Sequence, residues 1–124
     1  MKLKISDLIN MYNHLLSTQI ELEQKEIKEP NLVYNIARNI IRLEKTLAES
    51  KAIEKQIRIQ LITEGVQESE INKKIVESET WIEHLKEEVE HDFWQTNWDK
   101  FQNSSQIADF IHILNFYNGY TIIE

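Results

Sequence analysis

The chain has 124 residues, enough for one ordinary domain and too few for two large ones. Two glycines and one proline, with 28% charged and 41% hydrophobic residues, suit long helices and argue against a turn-rich β-sandwich or a disordered chain. A net charge of −7 repels a phosphate backbone on average, and the lack of cysteine removes disulfides, thiolate metal sites and a cysteine nucleophile from consideration.

The opening MKLKISDLIN has no signal-peptide core, and no apolar run approaches the roughly 20 residues of a membrane span. A soluble cytoplasmic protein is expected. MKLKI alternates apolar and basic residues and predicts a short strand. Ser6 and Asp7 supply N-cap chemistry for a first helix carrying Leu8, Ile9, Tyr12, Leu15, Leu16 and Ile20 at helical spacing. That helix should end before Pro30, which suits the first turn of the next one, with Glu29 as its cap.

From Pro30 the apolar positions Val33, Ile36, Ile40, Leu43 and Leu47 alternate steps of three and four, and a helical pattern runs on through Ile57 and Leu61 to Gly65. The strict seam continues through Ser50 and Glu54, both polar, so it either drifts toward Ile53 or contains a polar layer or bend. Ala37, Ile41 and Ala48 form a second apolar flank, expected to contact helix one and the aromatic segment. Gly65 can close the helix in the left-handed conformation, with Ser69 capping the next one. A third helix should carry Ile71, Ile75, Ser78, Ile82, Leu85 and Val89 as its seam and lie antiparallel on the second. Residues 38 to 58 hold six basic and three acidic residues, whereas residues 66 to 92 hold nine acidic and three basic ones, so the two arms attract.

Composition changes near residue 92: beyond Asp92 only Asp99, Lys100, Asp109 and Glu124 are charged, while nine of the eleven aromatics lie at or beyond Trp81. Phe93, Trp94, Trp98 and Phe101 should pack on one face, and Ser104 or Ser105 should cap a short helix. Asn118 and Gly119 have the sequence of a type I′ turn, and YTIIE is a candidate strand for pairing with FY, with MKLKI, or with both. No internal repeat or low-complexity segment is present. The expected fold is mainly α, a single domain over 1–124: a strand-like start and helix one (1–29), a long antiparallel αα-hairpin with coiled-coil-like seams (30–92) and a small aromatic helical head (93–124), with room for one short terminal β pairing.

For chemistry, His84, Glu87, Glu88 and His91 have offsets that permit a metal, and Glu88 to His91 is an E-x-x-H step. A di-iron centre needs two such steps, and both histidines should point away from the seam, so this stretch reads as a solvated acidic face. Asp109 and His112 read as a structural pair. Arg38, Arg42 and Lys45 form a basic stripe opposite the seam, continued by Lys55, where a nucleotide or phosphate could sit. Trp94, Trp98, Tyr117 and Tyr120 are the aromatic candidates for the same ligand. No glycine-rich phosphate loop, Ser/His/Asp context or pair of buried carboxylates is recognisable, so neither enzymatic activity nor a cofactor or catalytic metal is expected. The acidic stretch from Glu77 to Asp92 raises the further option of nucleic-acid mimicry, and direct nucleic-acid binding is not expected. Interface candidates are Ile53, Ile57 and Leu61 on the distal arm and Glu83, Glu87 and Glu90 on the acidic one; the surplus of apolar residues on the distal arm predicts a homo-oligomer.

KLKISDLINMYNHL and EPNLVYNIARNIIRLEKTL, with Tyr34, Ile36, Ala37, Arg38, Asn39 and Ile40 in a Y-x-I/L-A-R/K-N-I helix start, resemble the N-terminal half of an uncharacterised family of small phage and prophage proteins of low-GC Gram-positive bacteria. The resemblance covers about fifty residues and implies a virus that needs small proteins to assemble particles or to disable host machinery. The expected function is that of a non-enzymatic, phage-derived binding protein in the host cytoplasm, occupying a host protein of a bacterial defence system through its helical surfaces. Two alternatives are a phage assembly or virion-associated factor and an oligomeric sponge for a signalling nucleotide.

Overall fold

The computed structural model describes residues 1–97 and 122–123. It is mainly helical, as expected, with five helices and four short strands in the described residues: β1 (Lys2–Lys4), α1 (Ile5–Gln24), α2 (Pro30–Thr46), α3 (Ala48–Thr63), α4 (Glu68–Glu77), α5 (Glu79–Leu85), β2 (Glu88–Glu90), β3 (Thr96–Asn97) and β4 (Ile122–Ile123). The chain divides into two compact units. Unit one joins residues 1–10 to 45–91, and unit two joins 11–44 to 92–124.

Unit one holds the hairpin, shorter than the sequence predicts. The second helix is interrupted at Leu47 (φ −90°, ψ 8°), which separates α2 from α3. The seam continues across the break with a polar layer: Leu43, Leu47, Ser50 and Ile57 are all buried, while at the next position Glu54 is only half-buried and Ile53 packs beside Ile57. At the far end Gly65 sits at φ +85°. Gly65 N–H donates to Ile62 O and Val66 N–H to Leu61 O, each at 3.0 Å, which is a Schellman ending. The following cap position is Gln67 and not Ser69, because Glu68 already lies inside α4. Ile57 packs with Ile71 and Ile75, flanked by Ile53, Leu61, Val66 and Trp81.

The third helix is not continuous. Ser78 is extended (φ −65°, ψ 129°), ending α4 and starting α5. The kink re-aims the second half, so Ile82 is exposed while His84 is buried. The chain then leaves helix altogether, and Glu88–Glu90 pairs antiparallel with Lys2–Lys4 in the register Lys2 to Glu90, Leu3 to Val89 and Lys4 to Glu88. Ile5 N–H to Glu87 O (2.9 Å) and His91 N–H to Met1 O (3.0 Å) extend the ladder. MKLKI is thus a strand, but its partner is EVE and not YTIIE.

Unit two contains the remainder of α1 and most of α2. The buried positions of α1 are Ile5, Leu8, Met11, Leu15, Thr18 and Leu22, with Ile20 exposed, so of the expected positions Leu8 and Leu15 lie in the core while the stripe runs aside from Ile9, Tyr12, Leu16 and Ile20. Thr18 is admitted to it because its hydroxyl donates to His14 O at 2.8 Å. The helix ends at Glu26, left-handed at φ 55°, with Ile27 N–H on Leu22 O. Pro30 opens α2 as predicted, and Glu29 caps it by accepting from Asn31 N–H at 3.2 Å. In α2 the buried face is Leu32, Asn35, Ile36, Asn39, Ile40 and Leu43; Val33 and Ile41 are exposed, so Ile41 is not the expected apolar flank. Tyr12 Oη donates to Glu44 at 3.0 Å and ties α1 to α2. Ile122–Ile123 does form a strand, parallel to Thr96–Asn97. The expected helix after Ser104 or Ser105, the Asn118–Gly119 turn and the Asp109/His112 pair lie outside the described residues.

Candidate functional site

On unit one the outer surface of α4, α5 and β2 is dense in carboxylates: Glu68, Glu70, Glu77, Glu79, Glu83, Glu87, Glu88 and Glu90 are all exposed. Val76 (66% exposed) and Ile82 (38%) stand among them. Lys86 pairs with Glu83 at 3.3 Å. The Met1 ammonium meets Glu90 at 2.9 Å and, by hydrogen bond and charge, holds that carboxyl below the usual carboxylate range. The expected acidic face therefore exists, distributed over two helices and a strand; the kink at Ser78 removes the single long acidic helix that nucleic-acid mimicry assumed.

The distal-arm candidates separate. Ile57 is buried against α4, and Ile53 and Leu61 flank it, so these three serve the interior of the hairpin. The large apolar residues that α3 leaves outside are Ile59 and Ile62.

His84 and His91 are not part of the solvated face: both are buried. Thr46 Oγ1 lies 2.7 Å from His91 Nδ1. Ser50 Oγ lies 2.7 Å from His84 Nε2, and His84 Nδ1 lies 3.2 Å from Glu87 Oε2. Since a carboxylate only accepts, Nδ1 carries a proton, and in the neutral ring Nε2 accepts from the serine hydroxyl. The connectivity is that of a serine, base and acid relay. Its serine, however, is 3% exposed inside α3, so the chain acts as a polar layer that fixes α5 on α3. Among the described residues no group of three or more histidine and carboxylate side chains is disposed to hold a metal.

On unit two, Arg38 and Arg42 do not form a stripe opposite the seam; both are half-buried and converge on Trp94. The Arg38 guanidinium stands 4.5 Å from the Trp94 ring centroid and 5.5 Å from that of Tyr34, and Arg42 stands 5.4 Å from Trp94. Tyr34 meets Trp94 edge-on at 5.9 Å. The indole is positioned through its backbone: Asn39 Nδ2 donates to Trp94 O (3.0 Å), Trp94 N–H donates to Asn39 Oδ1 (2.8 Å), and Asn35 Nδ2 adds a bond to the same carbonyl (3.3 Å). Arg42 Nη1 donates to Asp92 O at 3.1 Å. Lys45 is exposed and belongs to unit one; Trp98, Tyr117 and Tyr120 lie outside the described residues. Beside Tyr34 opens a cleft of about 850 Å³, with Leu22, Ile27, Pro30, Val33 and Ala37 in its wall.

Sequence reasoning did not single out Asn35 and Asn39 as the clamp, nor Ser50 as the partner of His84. Two asparagines four apart inside an apolar face were the available signal, since buried amides require partners. Comparison of the chain with protein-family models, curated proteins and solved structures gave no match.

Proposed function

We propose that the chain is a non-enzymatic binding protein, of phage origin and acting in the host cytoplasm, that occupies a basic, partly apolar surface of a host defence protein through unit one. The observation that carries this reading is the exposure of Val76 and Ile82 amid the carboxylates of α4 and α5. Apolar side chains anchor a contact, and a surrounding field of one sign speeds the encounter and selects an oppositely charged partner. No helix of the described residues is long and apolar enough to cross a membrane.

The test is affinity capture from lysate of a Gram-positive host with the native chain and with the Glu79→Lys/Glu83→Lys variant. One stoichiometric protein retained by the native chain and lost by the variant is expected. Capture indifferent to the charge reversal, or no stoichiometric protein, would remove the reading. Ile59 and Ile62 favour a second reading, self-association through the outer face of α3, as a homo-oligomer or an assembly factor would require.

A further inference from the structure

We propose that unit two binds a nucleoside phosphate, with its phosphoryl group on Arg38 and Arg42 and its base along Tyr34. Three of the other described cations meet carboxylates one turn away: Lys25 with Glu21, Arg58 with Glu54 and Lys86 with Glu83. Arg38 and Arg42, also one turn apart, have no such partner among the described residues. Among the described residues the Arg38 guanidinium stands against the rings of Tyr34 and Trp94, and its buried Nε lacks a hydrogen-bond partner. Arg42 spends one donor on a backbone carbonyl.

Stacking uses the face of a guanidinium and leaves the donors in its plane available. Two adjacent forks are matched by one tetrahedral oxyanion, which accepts from both, more fully than by one carboxylate, which accepts from a single fork. The backbone of Trp94, whose indole stands against the two cations, is held by three hydrogen bonds with Asn35 and Asn39, so the main chain that carries the ring is fixed before a ligand arrives. Half-exposed Tyr34, beside the Arg38 guanidinium, also lines the cleft of about 850 Å³, whose wall joins apolar Val33, Pro30 and Leu22 to charged Glu23, Glu26 and Lys28; its size and apolar part suit the flat base of a small ligand. A long polyanion fits less well, because acidic residues outnumber basic ones among the described residues of unit two.

Calorimetric titration of the full chain with adenosine monophosphate, adenosine, inorganic phosphate and a single-stranded oligonucleotide tests the proposal. The monophosphate should bind saturably, once per chain, and more tightly than the other three. Arg38→Lys and Arg42→Lys keep the charge and lose the fork, and each should weaken it by about tenfold, with circular dichroism confirming an unchanged fold. No saturable binding of the monophosphate, or an affinity equal in the native chain and both lysine variants, would overturn the site. Phosphate or the oligonucleotide binding as tightly as the monophosphate would overturn its assignment to a nucleoside phosphate.

Discussion

At the scale of single residues, the polar layer of unit one is the most informative feature. Ser50 and His84 complete each other's hydrogen bonding in a buried setting, so removing one partner strands the other. Ser50→Ala should destabilise the protein by about 1 to 3 kcal/mol in chemical denaturation, and adding His84→Leu should recover part of that loss, since replacing both partners leaves no buried acceptor. Equal or greater loss in the double variant would show that the histidine matters through its packing alone. Glu90 offers a pH test. Its folded carboxyl is held below the ordinary range by the Met1 ammonium, so the ion pair contributes above the unfolded carboxyl's pKa and is lost as pH falls through the lowered folded value. Glu90→Gln should therefore lower stability at neutral pH slightly and narrow the gap to the native chain on acidification, as melting temperatures at several pH values would reveal.

Among the elements, helix endings provide the sharpest contrast. Two of the described helices close through the same left-handed turn, α3 with Gly65 and α1 with Glu26. A side chain at Gly65 would meet nothing within 4 Å, so Gly65→Ala isolates the backbone cost and should destabilise by about 1 kcal/mol, while Glu26→Gly should stabilise by up to the same amount. Thermal denaturation of the two variants against the native chain checks both signs. These endings also show how far the sequence is legible. Gly65 announces its turn because glycine alone tolerates that conformation freely, and Pro30 announces the start of α2. Nothing in Glu26 does so. The breaks at Leu47 and Ser78 were equally silent, since neither position holds a residue that helices reject. The long seams over them were periodic enough to suggest continuous rods, and EVE has no more strand character than the helix around it until MKLKI lies beside it. The cationic residues of the candidate site were visible as Arg38 and Arg42, but their convergence on Trp94 depends on Asn35 and Asn39 holding the backbone of a residue more than fifty positions away in sequence.

For the whole molecule, the division into two units means that one surface can be altered while the other reports on folding. Ile57→Glu places a charge in the hairpin interior and should unfold unit one, with loss of helicity. Ile59→Glu/Ile62→Glu acts on the outer face of α3 and should leave helicity intact while dissociating any homo-oligomer, measured by light scattering. A native chain that is strictly monomeric at high concentration would exclude self-association by this face. Finally, the pairing of Lys2–Lys4 with Glu88–Glu90 joins one segment to another made much later. During synthesis the leading strand emerges from the ribosome without its mate, and its edge stays unsatisfied until translation passes Glu90. Closing so wide a loop is slow compared with helix formation, so nascent chains arrested before that point should expose an adhesive ribbon that the finished protein conceals.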